Sequence, residues 1–209
     1  MGCLGLKRLV RTFSRSHWPV LGLLIGAFSP SLAGAHLVTT GLGPIYDGIS
    51  HVLLSPDDLV PIVAMALLAG LNGPVAGRLA LFALTGAWLI GGIAGYLVGQ
   101  PLLSGAVVCA SFLVLGGLTA VDLRLQSGVV MALAVIIGLL HGWLNGAGIA
   151  KAQHEALGLA GICSAIFVLV AIVSAGVISL HKGWMRIAVR VAGSWVAAIG
   201  LLMLGWSLR

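Results

Sequence analysis

The chain has 209 residues, of which 60% are hydrophobic and only 8% are charged, and its formal net charge is +6. A soluble domain usually carries about 25% charged residues, so this composition excludes a soluble globular protein. In a bilayer, backbone polar groups must be satisfied within the chain, and long apolar runs achieve this as helices. We therefore predict an all-α fold, a polytopic membrane helix bundle.

The first 35 residues have the layout of a secretory signal peptide. Four basic residues between positions 7 and 15 precede a short apolar stretch at 19–28, and an A-x-A site ends at Ala35. This order of segments is typical of a cleaved signal. We predict cleavage after Ala35, which makes His36 the first mature residue; an uncleaved first transmembrane helix is the alternative. Because cleavage removes four basic residues, the net charge gives no reason to expect a nucleic-acid partner.

The rest of the chain divides into an N-terminal arm at 36–56, with a short helix, and a transmembrane domain at 57–209. Six apolar segments in this domain predict six transmembrane helices. They lie near 57–72, 79–99, 102–121, 128–146, 156–180 and 187–208. The connections are short, so we predict that consecutive helices are antiparallel neighbours.

Basic residues are distributed unequally between the predicted loops and therefore predict an orientation. With the mature N-terminus outside, the inner side carries Arg78, Arg124, Lys182, Arg186 and Arg190, and the outer side carries Lys151 and Arg209. Basic loops stay on the cytoplasmic side of a membrane. We predict a protein of the bacterial inner membrane with its mature N-terminus in the periplasm.

Glycine recurs at every fourth position on the second and fourth predicted spans. One row is Gly91, Gly95 and Gly99, and the other is Gly138, Gly142 and Gly146. Glycine at this spacing flattens one face of a helix, so a neighbouring backbone can approach closely. We predict that the rows serve helix packing within the bundle; the pairing of subunits in a homo-oligomer is the alternative.

Most polar residues able to bind a metal are predicted to lie at the outer face. The candidate ligands are His36, Asp47, His51, Asp57, Asp58, His141 and Asn145. Asp47 and His51 are four residues apart, as are His141 and Asn145, so a helix places each pair on one face. Imidazole with carboxylate is a nitrogen and oxygen ligand set, which suits a divalent transition metal ion better than Cu(I). We predict one cation site built from these residues.

Helix capping is an alternative explanation for two of these candidates. The segment Ser55–Asp58 reads SPDD. This is typical of a helix start, with Ser at the N-cap, Pro at the first position and acids in the first turn. Capping alone accounts for Asp57 and Asp58 without a metal. His141 has no such explanation, because an ionisable residue inside an apolar span is usually functional.

Two segments carry a recognisable pattern. HVLLSPDDLVPIVAMALLAG, residues 51–70, leads from His51 through Asp57 and Asp58 into an apolar helix, and LHGWLNG at 140–146 contains His141 and Asn145. They resemble the HupE/UreJ family, membrane accessory proteins of hydrogenase and urease systems. In that family a His precedes an Asp–His pair by six and seven positions, and the second motif is His-Gly-x-x-His-Gly. Asp58 and Asn145 thus stand where the family has His.

The resemblance implies six spans after a signal peptide and an association with nickel or cobalt uptake. We hypothesise a permease that captures a divalent transition metal ion at the outer face. A non-transporting metal chaperone, which supplies a metalloenzyme or its maturation factors, is the alternative. A membrane hydrolase using Ser194 and His141 is disfavoured, because these residues are predicted near opposite membrane faces. The expected partners are the metal ion and the lipid bilayer, and no enzymatic activity is expected.

Overall fold

The computed structural model describes residues 40–100, 105–181 and 183–207, in which every regular element is an α-helix. Helices account for 85% of these residues. They are α1 (Pro44–Leu54), α2 (Pro56–Leu71), α3 (Pro74–Val98), α4 (Ala106–Val121), α5 (Ser127–Lys151), α6 (Gly158–Ile178) and α7 (Gly183–Ser207). The all-α prediction is confirmed for this part of the chain. The predicted signal peptide and His36 lie outside it.

Four helices, α3, α5, α6 and α7, are long and apolar enough to cross a membrane. α1 and α2 pass the same test only as a pair, and they meet at a bend of 74°. α4 has 16 residues, and the span predicted at 102–121 begins outside the described residues. The described chain thus provides four spans, or five if the bent pair is one span. These spans indicate a multi-pass membrane protein, and the six-span topology stays a prediction.

The bend between α1 and α2 follows from the local sequence. Ser55 has extended backbone angles, φ −96° and ψ 103°, as expected for a residue that precedes proline. Pro56 then occupies the first position of α2, where the missing N–H has no intrahelical partner in any case. The chain therefore restarts a helix at once in a new direction, and the last turn of α1 lies next to the first turn of α2.

α3 and α5 run parallel and approach closely through glycine. Gly142 lies against the backbone of Trp88, and Gly146 lies against the backbone of Gly92. A Cβ atom at position 142 or 146 would collide with main-chain atoms of α3. Residue numbers rise together along this contact, which shows that the two helices point the same way.

The remaining glycines of the two predicted rows are less uniform. Gly91, Gly95 and Gly138 also lie in the contact between α3 and α5. Gly99 does not: it ends α3 in the left-handed conformation with φ 67°, and a Cβ atom there would meet open space. Five of the six glycines therefore pack the two helices within one chain, whereas Gly99 terminates a helix.

An apolar core fills the middle of the bundle between α2, α3, α4 and α6. Its large, fully buried side chains are Ile62, Met65, Leu68, Leu84, Trp88, Leu115, Ile162 and Ile166. α7 packs at the edge of the bundle against α4, where Gly193 and Gly200 permit close approach. The other side of α7, including Trp195, is exposed and would face lipid in a bilayer.

Polar contacts link the helices at the end of the bundle opposite the α1–α2 bend. Arg186 donates to both carboxylate oxygens of Asp122 at 2.7 Å, and its Nη2 lies 3.4 Å from the carbonyl oxygen of Leu71. Asn72 Oδ1 accepts a hydrogen bond from the Leu125 amide at 2.7 Å. These contacts join the end of α2, the α4–α5 connection and the start of α7.

Candidate metal site

Asp58, in the first turn of α2, lies at the centre of a buried polar cluster and is only 6% exposed. His51 Nε2 is 3.3 Å from its Oδ2, and His141 Nδ1 is 3.3 Å from its Oδ1. Asn145 Nδ2 donates to both carboxylate oxygens, at 3.1 Å and 3.0 Å. We call His51, Asp58, His141 and Asn145 the Asp58 cluster. A buried carboxylate must be paired and hydrogen-bonded; the Asn145 amide donates to it, and the two imidazoles lie within ion-pairing distance.

The fold brings the Asp58 cluster together in two ways. The bend after Leu54 places His51, in the last turn of α1, beside Asp58. His141 and Asn145 lie one turn apart on α5 and are both buried. The cluster thus joins both helices of the bent pair, α1 and α2, to α5. None of the local sequence patterns requires this association.

Each imidazole of the cluster has a serine hydroxyl at its other ring nitrogen. Ser55 Oγ is 3.4 Å from His51 Nδ1, and Ser111 Oγ is 3.1 Å from His141 Nε2. Ser111 Oγ also donates to the carbonyl oxygen of Val108 at 2.8 Å. Because this bond uses the only hydroxyl proton, the Ser111 oxygen accepts a hydrogen bond from the N–H at His141 Nε2. In the neutral imidazole, the lone pair of Nδ1 then faces Asp58.

This tautomer of His141 creates a place for a positive charge. The Nδ1 lone pair and Asp58 Oδ1 are two acceptors only 3.3 Å apart, and they repel each other unless a proton or a metal ion lies between them. Histidines that bind metals typically have their second ring nitrogen held by a hydrogen-bond partner, as Ser111 does here. The chemistry of the Asp58 cluster therefore fits a bound cation.

Two buried polar atoms beside His141 have no hydrogen-bond partner within the described part of the chain. They are Asn145 Oδ1 and Trp88 Nε1, and the Trp88 ring centroid is 5.4 Å from that of His141. Buried polar groups are normally hydrogen-bonded, so each exception calls for an explanation. An amide oxygen is a suitable ligand for a hard divalent cation, so Asn145 Oδ1 has the chemistry of such a ligand.

Across residues 40–100, 105–181 and 183–207, no group of three or more His, Cys, Asp or Glu side chains has a metal-holding arrangement. In the Asp58 cluster the two imidazoles contact different oxygens of the carboxylate. A single ion would be held by both imidazoles only after the rings move towards each other.

The other predicted ligands do not join the cluster. The side chain of Asp57 is exposed, in the first turn of α2. Asp47 is buried, but its Oδ1 accepts hydrogen bonds from the amide and the hydroxyl of Thr40, both at 2.6 Å. His36 lies outside the described residues. Four of the seven predicted ligands therefore meet in one cluster.

The capping explanation accounts for the backbone at the start of α2 but not for Asp58. Ser55 is the N-cap residue, yet its side chain makes no capping hydrogen bond and lies near His51 instead. The Asp58 carboxylate contacts side chains of α1 and α5. Ser111 and Trp88 are not predicted from the sequence, because no motif distinguishes them from their apolar surroundings.

Comparison with known proteins identifies the family. The chain matches the family model described as HupE / UreJ protein over residues 23–203, a range that includes the whole Asp58 cluster. No curated protein and no solved structure matches the chain. The family suggested by the two short motifs is thus confirmed, and the chain belongs to the HupE/UreJ family.

Proposed function

We propose that this protein is a membrane permease for a divalent transition metal ion, which it binds at the Asp58 cluster. The observation that carries the proposal is a buried carboxylate shared by two imidazoles and an amide at the bend of a discontinuous helix. Secondary transporters commonly bind their substrate ions where a membrane helix is interrupted. The metal ion is the cargo of the protein rather than a resident cofactor.

Family membership supports a role in metal handling. HupE/UreJ proteins are membrane accessory proteins of hydrogenase and urease systems, associated with nickel and cobalt, and they are not enzymes. A metalloenzyme or its maturation factors would be the recipient of the ion.

The ligand set of the Asp58 cluster indicates which ions the protein prefers. The two imidazoles supply nitrogen, and the Asp58 carboxylate and the Asn145 amide supply oxygen. Carboxylate and amide oxygens favour harder divalent ions, whereas soft Cu(I) prefers sulfur. We therefore expect Co²⁺ and Mn²⁺ to bind at least as well as Ni²⁺.

The distribution of charge supports uptake from the periplasm. The Asp58 cluster lies at one end of the bundle, and Arg78, Arg124, Arg186 and Arg190 lie towards the other end. If this arginine-rich end faces the cytoplasm, the cluster faces the periplasm. From Asp58 to Leu71 the length of α2 is about 20 Å, and the apolar core fills this distance. Transport therefore requires the helices to move relative to one another.

One observation favours a second function, a metal-binding accessory protein that does not transport. Within the described residues, the buried acidic and histidine side chains are Asp47, His51, Asp58 and His141. All four lie at the cluster end of the bundle, so no buried ionisable side chain among them forms a relay towards the arginine-rich end. A chaperone that binds an ion and passes it sideways to a partner protein needs no such relay.

Uptake and binding must be measured separately to distinguish the two functions. We expect His51→Ala and His141→Ala to abolish Co²⁺ and Ni²⁺ accumulation in cells, whereas His154→Ala serves as a matched control outside the cluster. Purified protein in proteoliposomes then tests flux directly. Binding without flux would support the accessory function, and unchanged accumulation in both cluster variants would refute the permease.

A further inference from the structure

Pro61 lies inside α2, three residues after Asp58. In an α-helix the amide of residue 61 would donate to the carbonyl oxygen of residue 57. Proline has no N–H, and its ring also pushes that carbonyl away from the helix axis. The main-chain oxygen of Asp57 therefore lacks its usual intrahelical donor. An interior proline destabilises a helix, and such exceptions to local preference concentrate at functional sites.

The position of Pro61 relates the Asp57 carbonyl to the Asp58 cluster. Asp58, Pro61 and Ile62 are all buried, and residues three or four apart share one side of a helix. Pro61 thus lies one turn below Asp58 on the side of α2 that faces the bundle. The oxygen that it releases belongs to the same first turn as the Asp58 carboxylate.

We propose that the main-chain oxygen of Asp57 is a further ligand for the divalent cation held by the Asp58 cluster, an inference that rests on the proposed function. Carbonyl oxygens released at interrupted helices coordinate ions in transporters. Asn145 Oδ1, which has no hydrogen-bond partner within the described residues, would be a second neutral oxygen ligand once the amide turns over, because its Nδ2 faces Asp58 in the structure. Together with Asp58, these atoms make the site rich in oxygen, which selects a hard divalent ion such as Mn²⁺ over Zn²⁺.

The variant Pro61→Ala tests this ligand, because alanine restores the amide that engages the Asp57 carbonyl. Loss of a ligand is at least as costly as loss of an outer-shell partner, so we expect Mn²⁺ affinity to fall by about tenfold or more. Zn²⁺ affinity should fall less, and the melting temperature in detergent should rise. Pro74→Ala is the matched control, since Pro74 occupies the first helical position of α3 at the arginine-rich end, and it should leave both affinities unchanged.

Several outcomes would overturn the inference. In one, Pro61→Ala binds Mn²⁺ as tightly as the wild type although His51→Ala no longer binds it. This result would remove the Asp57 carbonyl from the site and leave the proposed function intact. Another is an equal loss for Mn²⁺ and Zn²⁺, which indicates a general disturbance of the helix. Pro61→Leu, which also restores the amide, should behave as Pro61→Ala does. Wild-type protein that binds neither ion would overturn the proposed function and this inference together.

Discussion

The two ends of the helix bundle both contain a paired aspartate, but the charge that balances it differs in kind. Asp122 is held by Arg186, a permanently charged partner whose side chain is 39% exposed. Asp58 is held by two imidazoles and an amide in a buried setting, and imidazole is charged only when protonated. Asp122 therefore has a permanently charged partner, whereas the partners of Asp58 carry a positive charge only when an imidazole is protonated.

Under the proposed function, this difference separates a structural contact from a site that binds and releases the metal ion. α2 connects the two, because Asp58 is in its first turn and Leu71, the last residue of α2, contacts Arg186. Mutations more than about 10 Å apart usually act independently. If α2 only joins two independent ends, changes at the arginine-rich end will alter stability but not metal affinity. The following experiments test that expectation.

The largest effect is expected from Asp58→Ala. It removes the acceptor of the Asn145 amide and the carboxylate that both imidazoles contact, and breaking a buried pair in this way costs about 3–5 kcal/mol of unfolding free energy. Co²⁺ affinity should fall by more than about 100-fold, since even an outer-shell change costs about 10–100-fold. Asp122→Ala, the matched carboxylate, should cost about 1 kcal/mol or less and leave Co²⁺ affinity unchanged. Thermal unfolding in detergent and Co²⁺ titration measure both quantities, and equal losses of affinity would contradict the comparison.

Gly142→Ala should have the next largest effect. A methyl group at this position collides with the backbone of Trp88, and overpacking costs about 1–3 kcal/mol. Because His141 is the preceding residue, Co²⁺ affinity should fall as α5 moves away from α3. Gly148→Ala on the same helix meets open space and should stabilise the protein by up to about 1 kcal/mol. If both variants unfold at the same temperature, the close packing of α3 and α5 is not required for the stability of the protein.

Ser111→Ala should have a smaller effect, confined to metal binding. It removes the partner of His141 Nε2, so the imidazole is no longer held in one tautomer. Co²⁺ affinity should therefore fall by about tenfold. Ser164→Ala is the control, because the Ser164 hydroxyl is exposed and donates to the Ala160 carbonyl of its own helix. If the two serine variants bind Co²⁺ with equal affinity, Ser111 does not contribute to the site.

The smallest effect is expected from Asn72→Ala at the arginine-rich end. This change removes the acceptor of the Leu125 amide and should cost about 1 kcal/mol of unfolding free energy. Co²⁺ affinity should stay at the wild-type value. A clear loss of affinity would instead show that the two ends are coupled through α2.

Several features of the site were predictable because they depend on local spacing. Apolar runs identify membrane helices, and the four-residue interval between His141 and Asn145 places both on one face of α5. Spacing does not reveal which of two adjacent aspartates turns inward. Neighbouring residues on a helix differ by about 100° in direction, so Asp58 is buried in the cluster while Asp57 is exposed.

The sequence by itself determined the class of the protein, its family and the residues of the predicted cation site, because composition and short motifs are local properties of the chain. Only the tertiary structure decided which of these residues meet. Asp47 bonds to Thr40 rather than to His51, and Ser111 reaches His141 from another helix. Such contacts depend on the bend at Ser55 and on how closely glycine lets α3 and α5 approach. The Asp58 cluster is therefore a product of helix packing, although each of its residues is visible in the sequence.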